Sequence, residues 1–367
     1  MKLPSEPSIR PDAHRRTGAS ALKSSIWILG LVMASFLPLA CGNDGGTAAE
    51  NQDPESELPL VGLALGDRGI GDLGFNDMQY NGLIEISRNF PVRINYGIPE
   101  SWQGPAVQAV IQDLLDQGAE LIFTGANTIA DAIAEIARAN PETTFIVLDY
   151  DQFIAENVVS VAFVQEEVAF LAGYLAASMT RTGRIGFIGG VDIPPVELFE
   201  AGFANGAAFA DPEVTIVREY LSSEPDFSGF NAPGKAREIA LSWYADDSID
   251  IIFAAAGGSG LGAIDALKSS GGNYFIGVDA NQDYLAEGKI LTSAMKNLDQ
   301  AMLSLMERYQ SGLLETGGVV RLGLENRGVG LSDFPYTRNV IGQELIEEIS
   351  EIEQRIIDGE INVLETP

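Results

Sequence analysis

The sequence predicts an α/β protein of two doubly wound parallel-sheet lobes joined by a multi-strand hinge. Three observations predict it. Short β-branched runs alternate with amphipathic stretches, the alternation starts afresh near mid-chain, and the region carrying it is about 310 residues long, too long for one core and natural for two.

The elements follow in order. VGLALGD from Val61 precedes a helix-like segment from Asn76, VRINYG from Val92 precedes 105–117, ELIFTG from Glu120 precedes 127–139, and TFIVLD from Thr144 closes the first series. RIGFIGG from Arg184, VTIVREY from Val214, DIIFAAAGG from Asp250 and YFIGVD from Tyr274 form the second, each with a helical stretch behind it. KILTSAMK from Lys289 and VVRLGL from Val319 add two strands around a helix over about 298–311, and a last helix covers about 344–358. These extra elements take the chain between lobes more than once. The expected partition is 58–164 plus about 290–317 for lobe 1, and 165–289 plus about 318–367 for lobe 2.

Ahead of the lobes, Arg10, Arg15, Arg16 and Lys23 precede an uncharged apolar run from Ile26 to Leu39, then Ala40 and Cys41. The run is about 14 residues, below the ~20 that span a bilayer, and reads as an export signal over residues 1–40. The chain's one cysteine has no internal partner, and its place directly after the apolar run points to lipidation of the thiol. LPLAC (37–41) resembles a bacterial lipobox, with Pro38 where an aliphatic residue is usual. A plain secretory signal and an uncleaved anchor are the alternatives. Residues 41–57 are small, polar and acidic and form a flexible tether.

Formal charge is −30, and −33 without residues 1–40, which excludes nucleic acid as a partner. The single histidine, His14, lies in the signal. The processed chain therefore has no histidine general base and no free thiol, and neither a metal nor a cofactor is expected.

Nearly every strand ends in glycine or aspartate: Asp67, Gly125, Asp149, Gly189-Gly190, Gly257-Gly258 and Asp279. Ligands of open α/β sheets sit beyond the carboxyl ends of the strands, so these are the candidate site positions.

The segment DRGIGDLGFNDMQYNG (67–82) resembles the amino-terminal signature of the basic membrane protein family, the PnrA-like purine nucleoside-binding lipoproteins. An Asp and a Phe-Asn pair there precede an aromatic-x-Gly. Matches continue in order through PETTFIVLD (141), VSVAFVQEEVAFLAGYLAA (159), GRIGFIGGVDIPPVELFEAGFANGA (183), DIIFAAAGGSGLGAIDA (250), FIGVDANQ (275), TSAMKN (292), LGLENRGVGL (322) and IIDGEINV (356). The chain departs from the pattern at Tyr80, for tryptophan, at Ala126, where an aromatic is frequent, and at Asn281, for aspartate.

The resemblance implies a type I periplasmic-binding-protein fold with a nucleoside clamped between the lobes. It implies a monomeric, lipid-anchored, extracytoplasmic substrate-binding protein that delivers to ABC transporter permease subunits and is not an enzyme. A nucleoside needs an aromatic for its base and polar groups for base and ribose. Phe75 and Phe227 are the candidate base sandwich, Asp149 and Asp151 candidate acceptors for base N–H groups, and Asp67 or Asp72, Asp279 and Lys296 candidate ribose contacts. Asn76, Gly257 and Gly258 complete the set. The structural alternatives are a staple for Phe75, a loop plug for Phe227, and helix capping for Asp72 and Asp151.

Other functions stay open at this level. GSGLGA (258–263) after a predicted strand, with Asp279 about 20 residues on, matches the dinucleotide-binding pattern of an oxidoreductase. Asp72 and Asp149 could serve as the carboxylate pair of a nucleoside hydrolase. A sensor subunit, or a binder of a flavin such as riboflavin, fits the same sequence.

Overall fold

The computed structural model describes residues 57–125, 128–245 and 248–365. Cys41, the export segment, residues 41–56 of the tether and Ala126 lie outside the described residues.

The first series is β1 (Leu60–Ala64), α1 (Phe75–Asn89), β2 (Arg93–Gly97), α2 (Gly104–Asp116), β3 (Ala119–Gly125), α3 (Ala130–Ala139), β4 (Thr144–Leu148) and β5 (Val158–Phe163). The chain then enters α4 (Gln165–Met179), β6 (Arg184–Val191), α5 (Pro194–Ala210), β7 (Thr215–Ser222), α6 (Pro233–Ala245), β8 (Ile251–Ala255), α7 (Gly260–Ser269), β9 (Tyr274–Asp279) and β10 (Ile290–Lys296). It continues through α8 (Leu298–Gln310), β11 (Gly318–Leu322), β12 (Val329–Leu331), α9 (Arg338–Ile341) and α10 (Gln343–Ile357).

Two six-stranded sheets result, ordered β11-β5-β4-β3-β1-β2 and β12-β10-β9-β8-β6-β7. The orders superimpose term by term, so β4 corresponds to β9 and β3 to β8. Pairing is parallel except between β10 and β12. Central strands such as β1, β5 and β8 are buried throughout, as strands covered by helices on both faces must be. Phe123, Phe145, Phe187, Phe253 and Phe275 are fully buried.

The partition differs from the sequence expectation at two exchanged segments. Residues 290–296 pair in parallel with β9 and belong to the second sheet, whereas 318–322 pair with β5 in the first. The connection from β9 to β10 is short and folded into a 3-10 turn over Asp283–Ala286, which keeps consecutive strands in one sheet. The lobe change falls one step later, at Asn297, before α8. The three passages between the sheets are therefore 163–165, 296–298 and 322–329.

Two devices stiffen the second lobe near these passages. Buried Asp283 accepts hydrogen bonds from the hydroxyls of Ser293 and Ser332, both 2.7 Å, and ties the 3-10 turn to β10 and to the residue after β12. Helices α4 and α5 approach at backbone contact, since a Cβ on Gly173, Gly202 or Gly206 would collide with the main chain of the facing helix.

Candidate ligand-binding cleft

The carboxyl ends of both sheets converge on one cavity of about 140 Å³. Lobe 1 lines it with the loop after β1, the first turns of α1, Trp102, Gly125 and Asp149. Lobe 2 contributes the start of α5, Phe227, Phe230, Gly257, Gly258 and Asp279, and Lys296 completes the lining from the end of β10.

Asp72 sets the position of α1. Its Oδ1 accepts from the N–H groups of Gly74 (3.0 Å) and Asp77 (3.1 Å), and its Oδ2 from the N–H and the Nδ2 of Asn76, both 2.9 Å. Asn76 returns its Oδ1 to the N–H of Gly66 at 2.9 Å. Both residues line the cavity, yet these bonds fix the β1–α1 turn, which is the capping alternative for Asp72. Phe75, between them, presents its ring to the cavity.

Asp149 and Asp279 occupy corresponding places after β4 and at the end of β9. Both have left-handed backbone, φ 63° and 62°, a conformation that Asp and Asn tolerate better than most residues and that is over-represented at functional sites. Their side chains differ. Both oxygens of Asp149 accept from Lys296 Nζ at 2.8 Å, in a pair whose side chains are 9% and 2% exposed. The ammonium also lies 5.0 Å from the Phe199 ring centroid, 5.7 Å from Phe75 and 5.8 Å from Phe163. Asp149, which the sequence suggested as an acceptor for base N–H groups, lines the cavity and has Lys296 as its partner.

Asp279 has no side-chain hydrogen bond among the described residues and faces the cavity. Burial pushes its carboxyl up to about 7; Lys296 opposes the shift, and the carboxylates of Asp149 and Asp72 add to it.

Asp67 lines the mouth and is exposed. Phe227 opens a 3-10 turn over Phe227–Asn231 that also carries Phe230. The Asp226 side chain accepts from the N–H of Ser228 at 2.9 Å, and the Ser259 hydroxyl donates to the carbonyl of Gly229 at 2.7 Å, so the turn is pinned at both ends. Asp151 is exposed and outside the lining, which corrects its place among the base acceptors. The left-handed turn at Asp149 directs the chain away from the cavity, and Asp151 follows it to the surface.

Sequence reasoning missed Arg68, Gln79, Trp102, Phe199 and Phe230 in the lining. Arg68 and Trp102 had an available signal, since each sits in a loop directly beyond a strand end. Gln79 and Phe199 lie inside helices and carry none. Two of the departures from the family pattern do not touch the cavity. Asn281 accepts from the N–H of Asp283 at 3.1 Å and caps the 3-10 turn, and Tyr80 packs edge-on against Tyr96, centroids 5.2 Å apart. The glycines of GSGLGA are not an open pyrophosphate cradle: Arg68 covers Gly258, and a Cβ on Gly262 would strike the main chain of Pro233 at the start of α6.

Two matched sheets, three passages between them and a cavity lined from both sides define a two-lobed cleft protein. Residues 61–366 match the family of ABC transporter substrate-binding proteins described as PnrA-like, and the chain belongs to that family. It is 32% identical to basic membrane protein A1 of Borrelia garinii subsp. bavariensis over 92% of this chain and 95% of the relative. It is 37% identical to basic membrane protein D of Borreliella burgdorferi over 66% of this chain and 68% of the relative. Among solved structures, an ABC transporter solute-binding protein of Aeropyrum pernix K1 superimposes with TM-score 0.71 at 24% identity, covering 84% of this chain and 94% of that one. A solute-binding protein of Conexibacter woesei gives 0.61 at 20% identity, over 83% and 98%. Both structures share the fold. Among the described residues no helix is long and apolar enough to cross a membrane.

Proposed function

We propose that this chain is the extracytoplasmic, lipid-anchored substrate-binding subunit of an ABC importer and that it holds a purine nucleoside in the cleft. One observation carries the reading: a single cavity combines aromatic rings from both lobes with the open carboxylate of Asp279. Flat heterocycles are held by stacking, and sugar hydroxyls by a charged acceptor in a dehydrated site.

In this reading Phe75 and Phe227 flank the base, one from each lobe. Asp279 accepts from a ribose hydroxyl, and Lys296, which spends two of its three N–H donors on Asp149, turns the third to a ribose oxygen. Asp72 and Asn76 act by holding Phe75 in place. Gly257 supplies a backbone surface, Gly258 makes room for Arg68, and Asp67 stands at the mouth. The lobes rotate about the three passages, and the ligand stabilises the closed form because only there do both faces reach it. Cys41 takes a diacylglycerol group on its thiol and becomes the first residue on cleavage behind Ala40, which keeps the cleft within reach of the permease.

A thermal-shift panel of inosine, guanosine, adenosine, uridine, ribose and riboflavin tests the cargo. A ligand at 100 times its Kd adds about 2.7 kcal/mol and raises the midpoint by several degrees. Purine nucleosides are expected to do so and ribose not. A shift with riboflavin alone moves the reading to a flavin binder; no shift with any purine nucleoside at millimolar concentration overturns it. Cys41→Ser is expected to move the protein from the membrane fraction to the soluble one.

A further inference from the structure

Four buried side-chain polar atoms lack a hydrogen-bond partner among the described residues, and two belong to residues of the cavity lining: Arg68 Nε and Gln79 Oε1. A buried polar group without a partner costs about 1–3 kcal/mol, so two such groups on residues that line one cavity bear on what that cavity is shaped to receive.

Arg68 reaches from the loop after β1 across the mouth to lobe 2. Its Nη1 donates to Asn231 Oδ1, at the end of the turn that carries Phe227 and Phe230. The guanidinium rests over Gly258, where a Cβ would collide with Nε and Cζ; glycine at 258 is what admits it. No carboxylate forms an ion pair with Arg68 among the described residues. With Nη1 committed to Asn231, the edge formed by Nε–H and Nη2–H remains: two parallel donors beside the aromatic part of the cavity.

Such a fork matches two adjacent acceptors in one plane. On a purine, the pairing of O6 with N7 in hypoxanthine and guanine has that form, whereas adenine sets an amino donor beside N7 and turns it toward the guanidinium. Gln79, on α1 one turn after Phe75, presents an acceptor that a ribose hydroxyl satisfies, as does Asp279. The unpaired groups therefore give the ligand a polarity, with sugar hydroxyls toward Gln79 and Asp279 and a carbonyl-bearing base edge toward Arg68.

We infer that Arg68 is a specificity-determining residue and that the cleft selects 6-oxopurine nucleosides over adenosine. The inference rests on the nucleoside reading above. It adds a residue that the sequence did not single out and a choice among bases.

Titration calorimetry of the wild-type protein, Arg68→Met and Asn231→Ala with inosine, guanosine, adenosine and purine riboside, which lacks the 6-substituent, tests it. Wild type is expected to bind inosine and guanosine at least ~10-fold more tightly than adenosine or purine riboside. Arg68→Met is expected to bring the inosine-to-adenosine ratio to within about threefold of one, chiefly through lost inosine affinity. Asn231→Ala, which frees the guanidinium to swing, is expected to fall between. Ligand-free thermal midpoints show whether each variant is folded; should Arg68→Met not fold, the Asn231→Ala ratio decides. Equal wild-type affinity for inosine and adenosine, or a wild-type preference that survives Arg68→Met, overturns the role of Arg68 while leaving the nucleoside reading intact. Binding of no nucleoside by the wild type overturns both.

Discussion

The ends of β4 and β9 stand at matching places in two sheets of the same order, each marked by an aspartate in left-handed backbone, and they use that aspartate in opposite ways. Asp149 has both oxygens on Lys296, whereas Asp279 keeps its carboxylate open to the cavity. Lys296 stands on β10 of lobe 2 and Asp149 follows β4 of lobe 1, so the ion pair is also a tie between the lobes. The comparison teaches a division of labour: one strand end positions the floor of the cleft, and the other leaves a charge for the ligand to satisfy.

The largest effect should come from breaking the committed side. Lys296→Met leaves Asp149 buried without its cation and removes the charge that favours ionisation of Asp279. Loss of one partner of a buried pair costs about 3–5 kcal/mol, so the unfolding free energy from denaturant titration should fall by that amount and nucleoside affinity should be lost with it. Adding Asp149→Asn should restore much of the stability but not the affinity. A single variant as stable as wild type would remove the distinction between the two strand ends.

The open side predicts a trade between stability and binding. Because the Asp279 carboxyl is raised to about 7 when folded and lies near 3.9 unfolded, the folded protein holds the proton more tightly, so this group's contribution is favourable below about pH 4 and is lost as pH rises to 7. Asp279→Asn abolishes that dependence and should make the ligand-free protein more stable than wild type at pH 8, by up to a few kcal/mol. Its affinity should fall by about 1.5–3 kcal/mol, the worth of a hydrogen bond to a charged group. In the wild type a ligand hydroxyl favours the ionised form. Binding should then release a proton below pH 7, visible as a dependence of the calorimetric heat on buffer ionisation enthalpy, and affinity should weaken as pH falls. A heat independent of buffer between pH 6 and 7 would place the ligand elsewhere.

Phe227 lies on the lobe 2 side of the same cavity, and its truncation tests stacking without touching either carboxylate. Phe227→Ala should weaken purine nucleoside binding by about 1–3 kcal/mol with little change in ligand-free stability, since the ring is only partly buried. Unchanged affinity by calorimetry would remove Phe227 from the site.

The two strand ends also show how far the residues alone could be read. TFIVLD and YFIGVD are the same statement in sequence, an apolar run ending in aspartate, and both were legible as strand ends facing a ligand. What separates them is Lys296, 147 positions from Asp149, and its place depends on β10 joining the second sheet, one of the two assignments that the strand pattern leaves free. The roles of Arg68 and Gln79 were illegible for a related reason, although the position of Arg68 beyond a strand end was not. Their importance lies in what they fail to bond to once the lobes face each other, and an unmet hydrogen bond has no signature in a sequence. Capping by Asp72 was legible as an alternative because its partners, Gly74, Asn76 and Asp77, lie within five residues.

The smallest predicted effect sharpens the comparison from outside the cleft. Asp151 is two residues beyond Asp149 and of the same type, so any account in which proximity to β4 alone confers function would give both a role. The turn at Asp149 puts Asp151 at the surface with no hydrogen bond from its side chain among the described residues. Asp151→Ala should therefore leave nucleoside affinity unchanged within error and stability within about ±0.5 kcal/mol. A loss of affinity on the scale of the Asp279 variant would mean that the loop after β4 folds inward when ligand binds, and the pairing of Asp149 with Lys296 would then not by itself account for this strand end.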